Sequence, residues 1–437
     1  MKIYNTYTNK LETFIPNNEG KLNIYVCGPT VNKKTHIGHM YPAVFFDTLV
    51  RYFRYKGYQV TYASNFTDVD DKIIQTAIEQ NITEKEVADK YEKYYLNDLS
   101  SLNCIPVDYR PRVTEYIDEI IDFINLLITT NHAYKNGDDV YFDINSIDNY
   151  GSLSNQKTEN LDYGNRIEID TNKKNPYDFV LWKSTDQGIK WQAPFGEGRP
   201  GWHTECVVMI NKIFNGKIDI HGGGIDLVFP HHENEIAQQQ AAYNNNLASY
   251  WMHNGHIKLD GEKMSKSIGN VITVKELLNT YTPNTIRLSM LKNHYRAPLN
   301  ISADVLEESK TIDNKILSAI KQTNLYINVN NLTVINIKDK TFEEYMDDDF
   351  NTSLVIAYLL DTIKNINISL RNNNTNEILK LYSIMTLIIN ILGLTYDIKQ
   401  ITNEDKEIYN LWNTCKASKD YTNADIYRKQ LEERNII

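Results

Sequence analysis

The chain has 437 residues, of which 41% are hydrophobic and 23% are charged. These fractions are close to the average of soluble globular domains, and they argue against a fibrous or wholly disordered chain. At about 150 residues per domain, the length predicts roughly three domains. The 46 basic and 56 acidic side chains give a net charge of −10. No overall basic field therefore draws the protein to nucleic acid or anionic lipid, and any polyanion must be bound locally.

The N-terminal sequence lacks the apolar core of a signal peptide, and the longest apolar run, residues 354–360, is too short to span a membrane. Cys27, Cys104, Cys206 and Cys415 lie far apart, which favours reduced thiols or metal ligands over a disulfide framework. We therefore expect a cytoplasmic protein, with a monomer as the default oligomeric state.

The first sixty residues predict a strand, a helix and a second strand. Residues 21–26 form a short apolar run, and residues 59–63 alternate in polarity. Between them, apolar residues recur at helical spacing, with Gly57 as the C-terminal signal and Pro42 expected in the first turn. The apolar face consists of Phe45, Leu49, Tyr52 and Phe53. This unit is typical of a doubly wound parallel sheet, which binds ligands at the carboxyl ends of its strands.

The middle of the chain reads as an insertion. Apolar spacing predicts a long amphipathic helix over residues 117–128, followed by turn-rich sequence up to about residue 199. The sheet resumes with a strand at residues 217–221 that ends at a run of three glycines, and a helix is predicted at 233–243.

Beyond residue 301 the sequence predicts a separate all-α bundle. One apolar helix covers residues 378–392 and is stopped by Gly393. A second apolar stripe consists of Ile356, Leu359, Leu360 and Ile363. The last forty residues are charge-balanced and only weakly patterned.

The motif HIGH occupies residues 36–39, just past the first strand. A strand-to-helix junction offers unpaired backbone N–H groups and a positive dipole end to a phosphate, and Gly38 permits close approach of a nucleotide. His36 and His39 can donate hydrogen bonds there. Taken alone, the pair is better interpreted as two ordinary loop histidines.

The second motif, KMSKS, occupies residues 263–267. A loop with Lys263 and Lys266 can close over a triphosphate and neutralise the charge that develops as pyrophosphate leaves. By itself the motif could be a solvated basic loop. In this order and context, the two motifs together predict adenylyl transfer.

A third group of residues suggests a metal site. His231 and Glu235 are four residues apart at a predicted helix start, Cys27 closes the first strand, and Cys206 follows the run GWHTE. Two sulfurs, an imidazole and a carboxylate could bind zinc tetrahedrally, and the carboxylate would be the ligand most easily loosened to admit a substrate thiolate. Free buried cysteines beside a His–Glu helix pair remain the alternative on spacing alone.

Several blocks of the sequence resemble the cysteinyl-tRNA synthetase family of class I aminoacyl-tRNA synthetases. They are CGPTV at 27–31, HIGH at 36–39, NFTDVDDKI at 65–73, GWHTEC at 201–206, HGGGIDLVFPHHENEIAQ at 221–238 and KMSKS at 263–267. MDDDFNT at 346–352 resembles the signature of that family's helical bundle, so the resemblance covers nearly the whole chain.

The resemblance implies that ATP, with Mg²⁺, activates L-cysteine to cysteinyl-adenylate, and that the cysteinyl group is then transferred to the terminal ribose of a cysteine-specific tRNA. It implies one zinc ion held by Cys27, Cys206, His231 and Glu235. In such enzymes the substrate sulfur binds zinc directly. A hydroxyl is a harder and far less acidic ligand, so serine is rejected without an editing domain.

The same resemblance implies further site residues. Phosphate would be bound by His36, His39 and Lys266, with Lys263 beside them. The amino-acid pocket would include Thr67, Trp202 and His221, although Trp202 could equally be a core aromatic. The adenosine end would be shaped by Gly222, Gly223, Gly224 and Asp226, for which a plain turn is the alternative.

The chain departs from the family pattern in two places. Asn32 stands where the family usually has an aromatic residue after CGPTV, and a terminal segment bearing a tryptophan is missing after residues 419–436. On this basis, the two halves of a Rossmann-like catalytic domain are predicted at residues 1–105 and 200–255, with an inserted connective domain at 106–199 between them. A linking domain that carries KMSKS follows at 256–305, and the helical bundle covers 306–395. Residues 396–437 are predicted to form an abbreviated segment that faces the anticodon.

Two other functions stay open at this stage. A cysteine-activating ligase of the mycothiol pathway resembles the catalytic core, lacks the anticodon domain and acts on a small-molecule amine. A non-catalytic copy of a synthetase could bind zinc or nucleotide alone, although such a copy should have lost some of the motifs.

Overall fold

The computed structural model describes residues 1–155, 173–263 and 271–437. The chain divides into two compact units, Met1–Leu277 with Tyr295–Asn300, and Leu278–His294 with Ile301–Ile437. Among the described helices, no stretch is both long and apolar enough to cross a bilayer.

Strands and helices are numbered in chain order over the described residues. The strands are β1 Lys2–Asn5, β2 Lys10–Thr13, β3 Lys21–Val26, β4 Gln59–Ala63, β5 Ala133–Asn136, β6 Asp139–Phe142, β7 Phe179–Lys183, β8 Arg199–Pro200, β9 Ile218–Gly224, β10 Ala248–Asn254, β11 Ile257–Leu259, β12 Glu262–Lys263 and β13 Leu299–Ile301. The α-helices are α1 Ile37–Tyr55, α2 Asp71–Gln80, α3 Glu84–Ser101, α4 Ile117–Thr129, α5 Glu205–Phe214, α6 Glu233–Tyr243, α7 Val274–Leu278, α8 Pro283–Leu291, α9 Ala303–Val329, α10 Lys340–Asp347, α11 Thr352–Arg371, α12 Thr375–Ile391, α13 Asn403–Ala417 and α14 Tyr421–Glu433.

The centre of the first unit is a parallel sheet with the strand order β10-β9-β3-β4. Strands β3 and β4 cover the residues predicted for them, and α1 connects them as expected for a doubly wound sheet. Because all four strands run the same way, their carboxyl ends meet at one edge. Cys27 follows β3 at this edge, and Gly224 and Asn254 end β9 and β10 there.

Helix α1 begins earlier than the sequence predicts. His36 is its N-cap: the His36 side chain accepts a hydrogen bond from the N–H of Gly38, and the His39 side chain accepts one from the N–H of His36. These two imidazoles satisfy N–H groups that a helix start leaves unpaired, so the helix can begin at Ile37. Pro42 therefore lies in the second turn, and the expectation of the first turn was wrong.

Strand β9 is longer than predicted, because the three glycines continue the strand instead of ending it. Gly222 to Gly224 all pair with β10. A β-carbon on Gly222 would lie 2.0 Å from the ring of Phe46. Glycine at this position lets α1 pack directly on the sheet.

The insertion contains a four-stranded antiparallel sheet with the order β5-β6-β7-β8. The amphipathic helix that the sequence predicts before it is present as α4. The strands were not predicted, because they have only two to five residues and are separated by turn-forming residues.

The second unit is all α-helical apart from the end of β13. Ile356, Leu359 and Ile363 of the predicted stripe are buried, and Gly393 follows α12 with a φ of +68°. The weakly patterned C-terminal residues form α13 and α14. Their small core consists of Leu325, Ile408, Leu431 and Ile436.

We predict that Gly222→Ala destabilises the protein by about 1–3 kcal/mol, because the added methyl group overpacks the contact with Phe46. Chemical denaturation measures the change. The double variant Gly222→Ala/Phe46→Leu should lose less stability than the sum of the two single variants. Additive losses would show that the two residues do not interact in this way.

Candidate active site and metal cluster

A cleft of about 1100 Å³ opens at the carboxyl edge of the parallel sheet. Its walls come from the segment after β3, the start of α1, the segment after β9, helix α2 and a loop of the insertion. The predicted site residues that line it are Cys27, Gly38, His39, Trp202, Gly224 and Asp226. Asn32, at the position where the family usually has an aromatic residue, also lines the cleft and is 4% exposed.

The four predicted zinc ligands come together beside this cleft. Cys27 follows β3, Cys206 is the second residue of α5, His231 lies in the turn before α6, and Glu235 is in the first turn of α6. One ligand atom from each lies within 4.8 Å of the others. Three of these residues are buried, and Cys27 is half-buried where it meets the cleft.

The distances within this cluster suit zinc. Cys27 Sγ lies 3.6 Å from Cys206 Sγ and 3.6 Å from His231 Nε2, and Cys206 Sγ lies 3.8 Å from the same nitrogen. Tetrahedral zinc with ordinary bond lengths places two sulfurs about 3.8 Å apart, and a sulfur and a nitrogen about 3.6 Å apart. The two thiols, the imidazole and the carboxylate therefore fit the geometry and the chemistry of a zinc site.

The charges of the cluster also favour a cation. Burial, the Cys206 thiol and the Glu235 carboxylate hold the pKa of Cys27 well above its usual range. A hydrogen bond from Cys27 lowers the pKa of Cys206 to about 6. Burial opposes ionisation of Glu235, but His221 and His231 hold its pKa well below its usual range. A divalent cation would relieve the repulsion among these acidic groups.

The same acidic groups act on His231. Burial would lower its pKa, but the Glu235 carboxylate, 2.9 Å away, and the Cys206 sulfur raise this pKa to about 10. The indole ring of Trp202 stacks on the His231 ring at 4.3 Å between centroids. Trp202 is 40% exposed and lines the cleft, so it is not the core aromatic that the sequence left open.

A second set of possible donors shares two of these residues. Cys27 and Glu235 also lie close to His221 and His232, again within 4.8 Å. His232 Nε2 lies 3.3 Å from Cys27 Sγ, and its Nδ1 lies 2.8 Å from Nε2 of His253. The set with Cys206 provides two sulfurs, the softer donors that zinc binds well. That set is therefore the better candidate for a metal site, and the other two histidines lie beside it.

Three histidines around the cluster were missed in the sequence. His203 Nδ1 lies 3.1 Å from His231 Nδ1, while His232 and His253 form the chain described above. Burial lowers the pKa of His203 and of His253 to about 3, so both are neutral. The number of histidines is the one signal that could have pointed to them. Five of the ten histidines lie in this region: the three missed ones together with His221 and His231.

The structure describes only some of the predicted phosphate-binding residues. His36 and His39 sit together at the start of α1, with ring centroids 3.8 Å apart, and His39 lines the cleft. Lys263 ends β12. Lys266 lies outside the described residues, so its part in the site stays a prediction.

The predicted amino-acid pocket residues lie at different depths. Thr67 is buried, and its hydroxyl donates a hydrogen bond to Glu205 at 2.9 Å. His221 is fully buried behind the metal cluster, with Nε2 2.7 Å from Glu235 and its ring stacked on Trp251. Of the three predicted pocket residues, Trp202 is the one on the cleft wall.

The three glycines of β9 also differ in whether they line the cleft. Gly224 and Asp226 line the cleft, whereas Gly222 packs against Phe46. A β-carbon on Gly223 would lie 2.8 Å from Leu227 and 3.2 Å from His232. Gly224 and Asp226 are therefore the members of the set that a nucleotide in the cleft could reach.

A helix that starts with HIGH at the carboxyl edge of a Rossmann-like sheet defines a class I aminoacyl-tRNA synthetase. The family described as "tRNA synthetases class I (C) catalytic domain" matches residues 13–311, and the DALR domain family matches residues 341–396. Several curated relatives that align over the whole of this chain are named cysteine–tRNA ligase. The chain belongs to the cysteine–tRNA ligase family.

Three of these relatives illustrate the match. The cysteine–tRNA ligase of Acholeplasma laidlawii is 46% identical, and the alignment covers 100% of both chains. The Bacillus licheniformis enzyme of the same name is 42% identical over 100% of this chain and 96% of its own length. The one from Onion yellows phytoplasma is 40% identical over 100% of both.

Solved structures support the fold. Methionyl-tRNA synthetase of Mycobacterium tuberculosis, in complex with methionyl-adenylate, has a TM-score of 0.63 at 12% identity and covers 85% of this chain and 89% of its own. A LeuRS from Agrobacterium radiobacter in a ternary complex with tRNA has a TM-score of 0.63 at 10% identity, covering 87% and 84%. At such low identity the likeness concerns the fold alone.

We predict that the purified protein contains one zinc ion per chain, and that Cys206→Ser binds zinc at least about ten-fold more weakly, because it removes a sulfur ligand. Elemental analysis and chelator competition measure this. Cys415→Ser, which changes a cysteine of the second unit, is the matched control and should keep its zinc. Unchanged zinc in Cys206→Ser would refute the assignment.

Proposed function

We propose that this chain attaches L-cysteine to its cognate tRNA in two steps, through a cysteinyl-adenylate formed from ATP. The observation that carries the proposal is the placement of a Cys₂HisGlu cluster at the wall of the same cleft that the HIGH residues line. The thiol-selecting group and the nucleotide site then lie within one cavity. Its volume is large enough for an amino acid beside a nucleotide.

The cysteine side chain would enter between Cys27, which faces the cleft, and Trp202, which covers His231. Zinc, when bound, supplies a soft Lewis-acid position that prefers a thiolate to a hydroxyl. The surrounding residues hold the ligands in place. His221 hydrogen-bonds the outer oxygen of Glu235, and His203 contacts the second nitrogen of His231.

Thr67 and Glu205 would support the amino-acid pocket from below the cleft surface, because neither side chain lines the cleft. Their side chains are joined by a buried hydrogen bond, and burial raises the pKa of Glu205 well above its usual range. Thr67 follows Phe66 in the segment after β4, and its carbonyl accepts a hydrogen bond from the N–H of Val31. This pairing places the NFTDVDDKI segment directly beside the CGPTV loop.

The nucleotide would lie between the start of α1 and the end of β9. Gly38 and His39 offer the phosphate side, where the first turn of α1 adds a positive dipole end. Gly224 and Asp226 offer the adenosine side, with the Asp226 carboxylate as an acceptor for ribose hydroxyls. In this proposal Lys263, Lys266 and Mg²⁺ neutralise the triphosphate as pyrophosphate leaves.

Transfer to tRNA is better supported than transfer to a small amine. The DALR match at residues 341–396 covers the helices α10 to α12, and the small-molecule ligase was set apart by lacking such a domain. The cluster and the HIGH residues are intact, which a non-catalytic copy would not require. We propose that the protein works as a monomer in the cytoplasm.

We predict ATP-dependent attachment of labelled cysteine to a cysteine-specific tRNA transcript, with no attachment of serine. Acid-precipitable label measures the reaction, and a serine-specific transcript is the control. Activation of cysteine without transfer to tRNA would favour the small-molecule ligase. Failure to activate cysteine at all would favour a non-catalytic role.

We predict that Lys266→Ala slows adenylate formation about 100-fold, with little change in ATP binding, because its charge acts mainly in the transition state. Pyrophosphate exchange measures this rate. Lys275→Ala, which changes an exposed lysine of α7, is the control and should behave like the unaltered protein. Weaker ATP binding at an unchanged adenylation rate would contradict the role.

A further inference from the structure

Two walls of the cleft lie outside the metal cluster and the HIGH turn, and we call the space that they line the mouth of the cleft. One wall is helix α2, and the other is the loop of the insertion that follows β7. The lining residues of the first wall are Asp71, Lys72, Ile74, Gln75, Thr76, Ile78 and Glu79, and those of the second are Ser184, Thr185, Asp186 and Gln187. None of these residues belongs to the metal cluster or to the HIGH and KMSKS motifs. The chemistry proposed above therefore gives these residues no role.

A three-residue ion pair joins the two walls. Oδ2 of Asp71 lies 3.0 Å from Lys183 Nζ. Oδ1 of Asp71 accepts a hydrogen bond from the Arg199 guanidinium. Partial burial would raise the pKa of Asp71, but hydrogen bonds from Lys183 and the charge of Arg199 lower it. The carboxylate is thus ionised at neutral pH, and we call these three residues the Asp71 clamp.

The register of the inserted sheet explains why the clamp needs an anion. Lys183 on β7 and Arg199 on β8 are directly paired across the two strands. Like charges in that position repel each other unless a group of opposite charge lies between them. Asp71 is the first residue of α2, so the anion comes from the catalytic domain and not from the sheet itself. One carboxylate thereby helps to pair β7 with β8 and to dock the sheet on α2.

The clamp adjoins the loop wall in the sequence, whereas other residues hold the cysteine site. Ser184 directly follows Lys183, and beyond this loop Ile189 N–H bonds Glu84 while Gly188 packs on Ile74. The cysteine site is held separately: Thr67 bonds Glu205, and the His203 carbonyl accepts from Gln238. Loss of the clamp would therefore move the mouth more than the cysteine site.

We propose that Asp71 is a positioning residue that sets the mouth of the cleft for the 3′-terminal adenosine of the acceptor nucleic acid. This inference rests on the proposed function. The cleft volume of about 1100 Å³ lies at the large end of the range for small-ligand sites, about 300–1,000 Å³, and is consistent with a second group entering beside an adenylate. A macromolecular end must reach the adenylate from outside, and the mouth offers polar side chains from both walls beside two isoleucines of α2. A displaced wall would misplace the attacking ribose while leaving adenylate formation intact.

The test separates the two steps of the reaction. Pyrophosphate exchange, which needs only cysteine and ATP, reports on adenylate formation, and single-turnover transfer from preformed adenylate to tRNA reports on the second step. We expect Asp71→Asn to slow transfer about ten-fold or more, with exchange changed less than about two-fold. Asp71→Glu, which keeps the charge, should restore most of the transfer rate.

Two further variants keep the result interpretable. Lys183→Met removes the exposed arm of the clamp and leaves Arg199 paired, so it should reduce transfer by a smaller factor at the same step. The double variant Asp71→Asn/Lys183→Met should be no slower than Asp71→Asn alone. Glu197→Gln is the matched control, because it removes an exposed carboxylate paired with Lys190 at 2.7 Å in the same insertion. It should leave both steps unchanged.

The outcomes distinguish the inference from the function on which it rests. Equal losses in exchange and transfer, or unchanged transfer in both Asp71→Asn and Lys183→Met, would overturn the positioning role alone. If the unaltered protein activates cysteine but transfers nothing to tRNA, the proposed function fails and the inference fails with it.

Discussion

The constraint on which the catalytic unit depends is the burial of acidic donors against one another. Cys27, Cys206 and Glu235 lie within 4.8 Å in a largely dry corner of the fold, together with His231. Burying several acidic groups side by side is unfavourable unless positive charge or a bound cation compensates for them. Segments more than 200 residues apart in the chain must reach this point at once, and the parallel sheet with its following helices brings them there.

The residues that surround the cluster are consistent with this limit on buried charge. Neutral His203 and His253 add hydrogen-bonding capacity without adding charge. Glycine at position 222 lets α1 pack closely on β9, and this contact fixes the HIGH turn relative to the strand that carries His221. The same packing thus serves the metal corner and the nucleotide corner. Stability and site geometry are not separable in this part of the molecule.

The sequence was sufficient where local pattern and chemistry agree. The strands at 21–26 and 59–63 and the helix at 233–243 were predicted with their observed bounds, because apolar periodicity and glycine signals are strong there. Cys27, Cys206, His231 and Glu235 do come together, as the family resemblance implied; their spacing alone had left free buried cysteines as an alternative.

Prediction failed where tertiary contacts override local signals. The glycines after His221 read as a strand end, but pairing with β10 and the ring of Phe46 keep them in the strand. The inserted sheet escaped notice because strands of two to five residues carry little periodicity. His203 and His253 could not be placed, because nothing in the chain order shows that they meet His231 and His232.

The way in which α1 begins has a consequence for the HIGH histidines themselves. Nδ1 of His36 accepts from the N–H of Gly38, and Nδ1 of His39 accepts from the N–H of His36. A nitrogen that accepts a hydrogen bond carries no proton, so both rings are held as the neutral tautomer with the proton on Nε2. Each ring can then offer one N–H donor to a phosphate oxygen but no net charge. The backbone of the first helical turn thus sets the tautomer of both side chains, and neutralisation of a triphosphate has to come from groups elsewhere in the chain or from a bound cation.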